Sequence, residues 1–296
     1  MEQQQFEPMS VGRIFDKAFT IYRHNFVRFL TIVALIQVPI ALIGLLSTNF
    51  MYGGVSAGAD AGEQTVAAPR IGDPEMGSGT TVADSLRPAA IILMMSVSAV
   101  LALVGNMLCQ AALAKSVSEY YLDREITVGQ AYRFVLPKLL TLIGASLLVG
   151  LVVGFGFLLL VVPGVIFSLW FYLTTPCIVV EGRRAAEGMS RSRALVSGNL
   201  GKTFLVGLLA MLIAWVVAIP FGVVSGLCTK FFLRDNFMLA TTVRHLANVI
   251  PQILAMPIGA SAFILLYYDL RIRKEGFDLE MLTQSMSSGG EAGDVV

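Results

Sequence analysis

Five stretches of this chain contain no Asp, Glu, Lys or Arg: residues 29–59, 88–114, 139–180, 203–229 and 246–268. A bilayer hydrocarbon core about 30 Å thick is crossed by about 20 apolar residues of helix. Four of the stretches suit one crossing each. The third is too long for one, and it carries Pro163-Gly164 near its middle. Proline lacks a backbone donor and glycine accepts turn conformations, so this pair predicts two spans joined by a tight turn. The expected fold is an all-α integral membrane protein, a six-span helical bundle. Its spans are expected at 29–48, 88–114, 139–162, 165–181, 203–227 and 246–268, in a single transmembrane domain of residues 1–284. The leg 165–180 is short, about 24 Å at 1.5 Å per residue. Either it extends through 181–182, or its turn sits below the membrane surface.

The polar segments have patterns of their own. In residues 10–26, Val11, Ile14, Phe15, Ala18, Tyr22 and Phe26 follow helical spacing, with Arg13, Asp16, Lys17, Thr20 and Arg23 on the other face. Ser10 suits the N-cap. Such an amphipathic helix either lies in the membrane interface or packs on the ends of the spans. Thr127-Val128-Gly129 echoes Ser10-Val11-Gly12, and Leu139-Leu140-Thr141-Leu142 echoes Phe29-Leu30-Thr31-Ile32. In 183–200, Met189, Ser192 and Val196 share a face, and Gly198-Asn199 stops the helix. Two span exits match as well: Tyr120-Tyr121-Leu122-Asp123-Arg124 and Tyr267-Tyr268-Asp269-Leu270-Arg271. Paired tyrosines before an arginine suit the aromatic belt of a membrane interface. These echoes suggest three parallel hairpins, each preceded by an amphipathic helix, although shared membrane-edge composition produces the same signal. Residues 51–87 read as an acidic outer loop, and 285–296 as a disordered tail.

Composition agrees with a lipid environment. Charged residues make up 14% of the chain, against roughly 25% in soluble domains, and mean hydropathy is +0.75. The net charge of +1 gives no basic field for nucleic acid. Cys109, Cys177 and Cys228 form no CxxC pair and read as small apolar residues. Glu2 and Glu7 stand where a secretory signal has a basic region, so the first apolar run is expected to be a retained span. With six spans, sixteen Lys and Arg residues fall on one side and five on the other. The positive-inside rule then places both termini in the cytoplasm.

The spans carry no acidic or basic side chain and no histidine except His245 just before the last. This counts against a proton-coupled pump or a voltage sensor. The polar side chains at depth are amides: Gln37, Asn106, Gln110, Asn248 and Gln252. Asn106/Gln110 and Asn248/Gln252 are each four apart and share a helix face. They serve either as interhelical hydrogen bonds, worth about 0.6 kcal/mol each, or as the lining of an intramembrane polar path. Small residues at 150 and 154, at 210, 214 and 218, and at 222 and 226 have the spacing of close helix contacts. Gly198-Asn199-Leu200-Gly201-Lys202-Thr203 ends like a phosphate loop, but Val196 stands where that motif needs its first glycine. Lys202 is expected to be a cytoplasmic anchor. With two histidines and no HExxH, no catalytic residue, metal ligand or cofactor site is expected.

Four blocks resemble a known family: Ser10-Val11-Gly12-Arg13-Ile14-Phe15, Val161-Val162-Pro163-Gly164-Val165-Ile166, the run from Ser190 to Asn199, and the run from Tyr267 to Leu279. They are similar to bacterial proteins related to the membrane domain of glycerophosphoryl diester phosphodiesterase. In that family the membrane module is found fused to a soluble catalytic barrel. The short segments outside the membrane leave no room for one here, so the enzyme activity does not transfer and no site residue is carried over. The resemblance implies a bacterial inner-membrane location. The expected role is a non-catalytic membrane module that organises partner proteins or lipids at the cytoplasmic face. The alternative is a transporter or lipid-handling carrier using the amides of spans two and six. The expected partners are the lipid bilayer and a membrane or cytoplasmic protein, with no nucleic acid.

The topology is tested by Ala61→Cys and Ser288→Cys labelled with a membrane-impermeant maleimide. The two sites are expected to label from opposite sides; labelling from one side excludes the six-span arrangement.

Overall fold

The computed structural model describes residues 9–63, 82–234 and 236–275, α-helices with one short 3-10 helix at Leu136–Lys138 and connecting turns, with no strand among them. The helices are α1 (Val11–His24), α2 (Phe26–Glu63), α3 (Val82–Tyr121), α4 (Val128–Val135), α5 (Leu139–Leu159), α6 (Val161–Trp170), α7 (Thr174–Glu181), α8 (Ala185–Val196), α9 (Leu200–Phe231) and α10 (Phe237–Glu275). Six segments are long and apolar enough to span: Phe26–Thr48, Ala89–Tyr121, Val128–Leu159, Val161–Glu181, Leu200–Phe231 and Met238–Glu275. The protein is therefore all-α with six membrane spans, as the uncharged stretches require. Helix continues to Glu63 and resumes at Val82, so the segment expected as an outer loop at 51–87 is helical at both ends. Its middle, 64–81, and the tail expected at 285–296 lie outside the described residues.

Contacts divide the chain into two compact units. The first takes the described parts of Met1–Ala34, Met107–Val217 and Gln252–Val296; the second takes those of Leu35–Asn106 and Ala218–Pro251. Helices α2, α3, α9 and α10 contribute to both.

In the first unit α1 has the expected face. Ser10 caps it by accepting from the Arg13 N–H at 3.3 Å, and Ile14, Phe15, Ala18 and Ile21 are buried. Ile14 and Ala18 have no exposed surface, so the helix packs on protein rather than lying free in the interface. Lys17 sits 4.5 Å over the Tyr121 ring, at the end of α3. Burial lowers the Lys17 pKa from its ordinary value, and the Asp123 carboxylate partly opposes this. Helix α4 opens on a capping box between Thr127 and Gln130. Its buried Tyr132 donates to the Ile32 carbonyl of α2 at 2.6 Å.

The hairpin of the long apolar stretch turns at Leu160, whose backbone is extended (φ −166°, ψ 154°). It does not turn at Pro163-Gly164, as the sequence suggested. Pro163 falls instead in the first turn of α6, where a missing N–H costs no hydrogen bond. The glycines serve contact. A Cβ on Gly156 would sit 3.0 Å from the Gly164 Cα, and one on Gly164 would meet the Phe157 ring at 2.5 Å. The second leg extends to Glu181, where Gly182, at φ 70°, ends α7 in the left-handed region. That leg is broken at 171–173, between α6 and α7. Ser192 of α8, fully buried, mends the break. Its hydroxyl donates to the Trp170 carbonyl at 2.7 Å and accepts from the Leu173 N–H at 3.0 Å. Backbone groups freed by a break in an apolar span need such partners. Helix α8 ends before Gly198 (φ 86°), as the Gly198-Asn199 pair predicts.

Two expectations are corrected here. Tyr121, Tyr267 and Tyr268 do not form an exposed interfacial belt; they are at most 3% exposed. Their rings stack on one another, and the Tyr268 hydroxyl pairs with that of Ser118 at 2.7 Å. The ring contact and the hydroxyl pair join the end of α3 to α10. The glycines at 150, 154, 222 and 226 do not make close helix contacts: a Cβ on any of them meets nothing within 4 Å among the described residues. Close approach falls at Gly156 and Gly164, at Gly188 against Ile178, and in the second unit at Gly105 against Ile36 and Ile40. The GxxxG spacing marks a helix face and does not say what covers it.

In that second unit Gln37 donates to Asn106 at 2.7 Å, and Thr48 lies 3.3 Å from the His245 ring nitrogen. Asn236 caps α10 by accepting from the Leu239 N–H at 3.1 Å.

Gly156→Ala is expected to cost about 1–3 kcal/mol through overpacking. Gly150→Ala is expected to be neutral or to add up to about 1 kcal/mol through helix propensity. Thermal unfolding in detergent checks the pair; equal shifts would refute the contact at Leu160.

Candidate functional site

The first unit holds two polar constructions, a charged clamp at the span ends and a cavity between the spans.

The clamp centres on Asp269, which has no exposed surface although it carries a carboxylate. The unbroken α10 carries it past Tyr267-Tyr268 and turns it inward. It accepts from the Met9 N–H at 2.6 Å, from Lys202 Nζ at 2.5 Å and from Arg273 Nε at 3.1 Å. Lys202 and Arg273 also donate to the Met9 carbonyl, at 2.6 and 3.2 Å. The chain before α1, the start of α9 and the end of α10 are thereby joined. Lys202, expected as a cytoplasmic anchor, is the partner of a buried carboxylate.

A second group surrounds Glu181. Its carboxylate accepts from Tyr267 at 2.8 Å, from Arg191 at 3.0 Å and from Arg183 at 3.2 Å. Arg191 also pairs with Glu275, which Arg271 reaches at 3.2 Å. The bond to Glu275 raises the Arg191 pKa above its ordinary value; desolvation opposes the shift and Glu181 adds to it. Lys274 donates to the Ala194 and Ser197 carbonyls at the end of α8. Each of these carboxylates is taken by cations, a hydroxyl or a backbone N–H, which is a bracing arrangement.

The cavity has a volume of about 680 Å³ and lies between α3, α5, α6, α7, α9 and α10. Its apolar wall includes Val149, Val153, Met256 and Phe263, and its polar groups are Gln110, Ser146, Ser168, Tyr172, Thr174, Thr175 and Gln252. Among the described residues, no Asp, Glu, Lys, Arg or His lines it. Small side chains hollow it out: Gly150 and Gly259 leave open space where a Cβ would go. The turn that breaks the fourth span contributes Phe171 and Tyr172, and Tyr172 is fixed edge-on to Phe263 with ring centroids 4.8 Å apart.

The five amides separate. Gln110 and Gln252 both line the cavity. Gln37 and Asn106 bond to each other, and Asn106 also donates to the Ala102 carbonyl at 2.8 Å. Asn248 donates to the Arg244 carbonyl of its own helix at 2.9 Å. The sequence reading missed Ser168, Tyr172 and Thr175 because the break at 171–173 carries no proline or glycine to announce it. It also missed Asp269 as a clamp; an acid four residues before Arg273, directly after two buried-size tyrosines, was the available signal. No cluster of side chains able to hold a metal ion occurs among the described residues. Cys109 and Cys177 are free and buried.

The fold and this uncharged intramembrane cavity define a multi-pass helical membrane protein. The chain belongs to the family of the domain of unknown function DUF7847, whose model matches residues 9–268. No curated protein and no solved structure matches it. The matched range takes in the cavity and begins at Met9, the residue that Asp269 holds; it ends at Tyr268, one residue before that carboxylate.

Asp269→Ala is expected to cost about 3 kcal/mol, because it strands the Lys202 ammonium beside an orphaned Met9 N–H. Lower thermal stability and faster proteolysis within α1 are the readouts. Asp269→Leu with Lys202→Met should recover part of the loss. Unchanged stability in the single variant would show that the clamp is not structural.

Proposed function

We propose that this protein is a non-catalytic membrane module that holds a lipid-like amphiphile within its first unit. The cavity carries the reading: about 680 Å³ of mostly apolar space, lined by neutral polar groups and no charged one. A site of this size and lining suits a small apolar molecule oriented by a few hydrogen bonds. Along α5 the lining runs from Leu142 to Val153, about 16 Å at 1.5 Å per residue. That is close to half the roughly 30 Å core, or the depth of one leaflet.

In this reading the protein sits in the cell membrane with both termini in the cytoplasm, supported by the sixteen-to-five distribution of Lys and Arg. The clamp then faces the cytoplasm, where a protein partner would meet α1 and α8. Kinship with the membrane domain of glycerophosphoryl diester phosphodiesterase is part of the reading. Its support is that Ser192, Asp269, Arg273 and Lys274, all in the shared blocks, make the contacts that brace the bundle. A carrier is the second reading, favoured by Gln110 and Gln252 meeting on one cavity. The bonding of Gln37, Asn106 and Asn248 elsewhere weighs against a continuous path of amides.

Native mass spectrometry of the protein extracted from its own membrane tests the reading. At least one tightly retained amphiphile is expected, and Ala214→Phe, which fills the cavity, is expected to release it. Identical lipid retention in wild type and Ala214→Phe, with both proteins folded, would refute it.

A further inference from the structure

We propose that the occupant of the cavity has an uncharged, hydrogen-bonding head group, and that Gln110 and Gln252 hold that head. The inference rests on the lipid-holding reading and adds the chemical class of the ligand.

Charge decides the class. A phosphate or an ammonium entering this cavity would find no counter-ion among the described residues of its walls. Burying an unpaired ion costs far more than burying a hydroxyl or carbonyl that finds a hydrogen bond. Cations of the flanking segments are engaged elsewhere, and Arg193 lies over the Trp170 ring. Lys115 pairs with Glu119 and lies over the Phe134 ring. Lys138 donates to the Val179 carbonyl at 3.1 Å and lies over the same ring.

The hydrogen-bonding inventory points the same way. Ser146, Ser168 and Thr174 donate to carbonyls of the preceding turn, at 2.9, 2.7 and 2.8 Å, so their oxygens are left as acceptors. Each amide brings both a donor and an acceptor. Gln110, on α3, is an exposed side chain of the cavity wall. Gln252, on α10, is also exposed and reaches the same space from another helix. Two amides from different helices suit a head group bearing a hydroxyl or a carbonyl, such as a diglyceride, a long-chain alcohol or a quinone. The apolar wall then takes the hydrocarbon.

Competition between dioleoylglycerol and dioleoylphosphatidylglycerol tests this, because the two share their chains and differ in head-group charge. Binding to the purified full-length protein in nanodiscs is counted by native mass spectrometry. Dioleoylglycerol is expected to win. Gln110→Leu and Gln252→Leu are each expected to weaken it about tenfold, the equivalent of one lost hydrogen bond to a buried head. Gln110→Asn should restore part of the affinity, and Asn248→Leu, outside the cavity, should leave it unchanged. Equal or better binding of dioleoylphosphatidylglycerol, with the amide variants without effect, overturns the head-group assignment while leaving the lipid-holding reading standing. Binding of neither lipid to the wild type, together with no effect of Ala214→Phe on retained lipid, overturns both.

Discussion

The rest of the first unit depends on one buried carboxylate. Asp269 has no exposed surface and accepts from a backbone N–H, an ammonium and a guanidinium. A carboxylate in such a place is tolerated only when its oxygens are filled and a counter-charge is adjacent. Meeting that demand draws together Met9, the start of α9 and the end of α10. Membrane helices gain little from hydrophobic burial against one another, because lipid is as apolar as leucine. Ionic and hydrogen-bonded contacts at their ends therefore weigh more than in a water-soluble bundle. Glu181, Arg191 and Glu275 extend the same solution to α7, α8 and α10.

The cavity follows from what this bracing allows. Helix α8 lies against the fourth span, and Ser192 supplies the two hydrogen bonds that the break at 171–173 would otherwise lack. With those groups satisfied, the span interrupts its helix and contributes Phe171 and Tyr172 to the cavity. Small residues on α5, α9 and α10 leave the space unfilled. A soluble core would close such a volume, since each missing contact costs stability. In a membrane protein an apolar hollow can be filled by lipid, and the neutral amides then select what enters.

The spans were legible in the sequence because the bilayer imposes a length and excludes charge; both limits can be read from uncharged runs. The amphipathic face of α1 and the stop at Gly198 were legible for a similar reason, since each rests on local chemistry. The position of the hairpin turn was not. Pro163-Gly164 looked like a turn, but proline is equally at home in the first turn of a helix, and the real turn at Leu160 is marked by contact between Gly156 and Gly164. The fates of the amides were also hidden. Gln37 and Gln110 are the same residue type in similar apolar surroundings. Only the three-dimensional arrangement shows one bonded to Asn106 and the other on a cavity wall. Tyr267 and Tyr268 illustrate the same limit: their composition suits an interface, and their hydroxyls bond instead to Glu181 and Ser118 in the interior.

The central claim is that the cavity between α3, α5 and α10 is occupied by a neutral amphiphile. An experimental density map of the protein in its native lipids tests it most directly. The account predicts continuous elongated density along Val149, Val153 and Phe263, ending in a head group within hydrogen-bond distance of Gln110 and Gln252. A cavity closed by inward side chains, or density ending in a phosphate paired with Lys115 or Lys138, would contradict it.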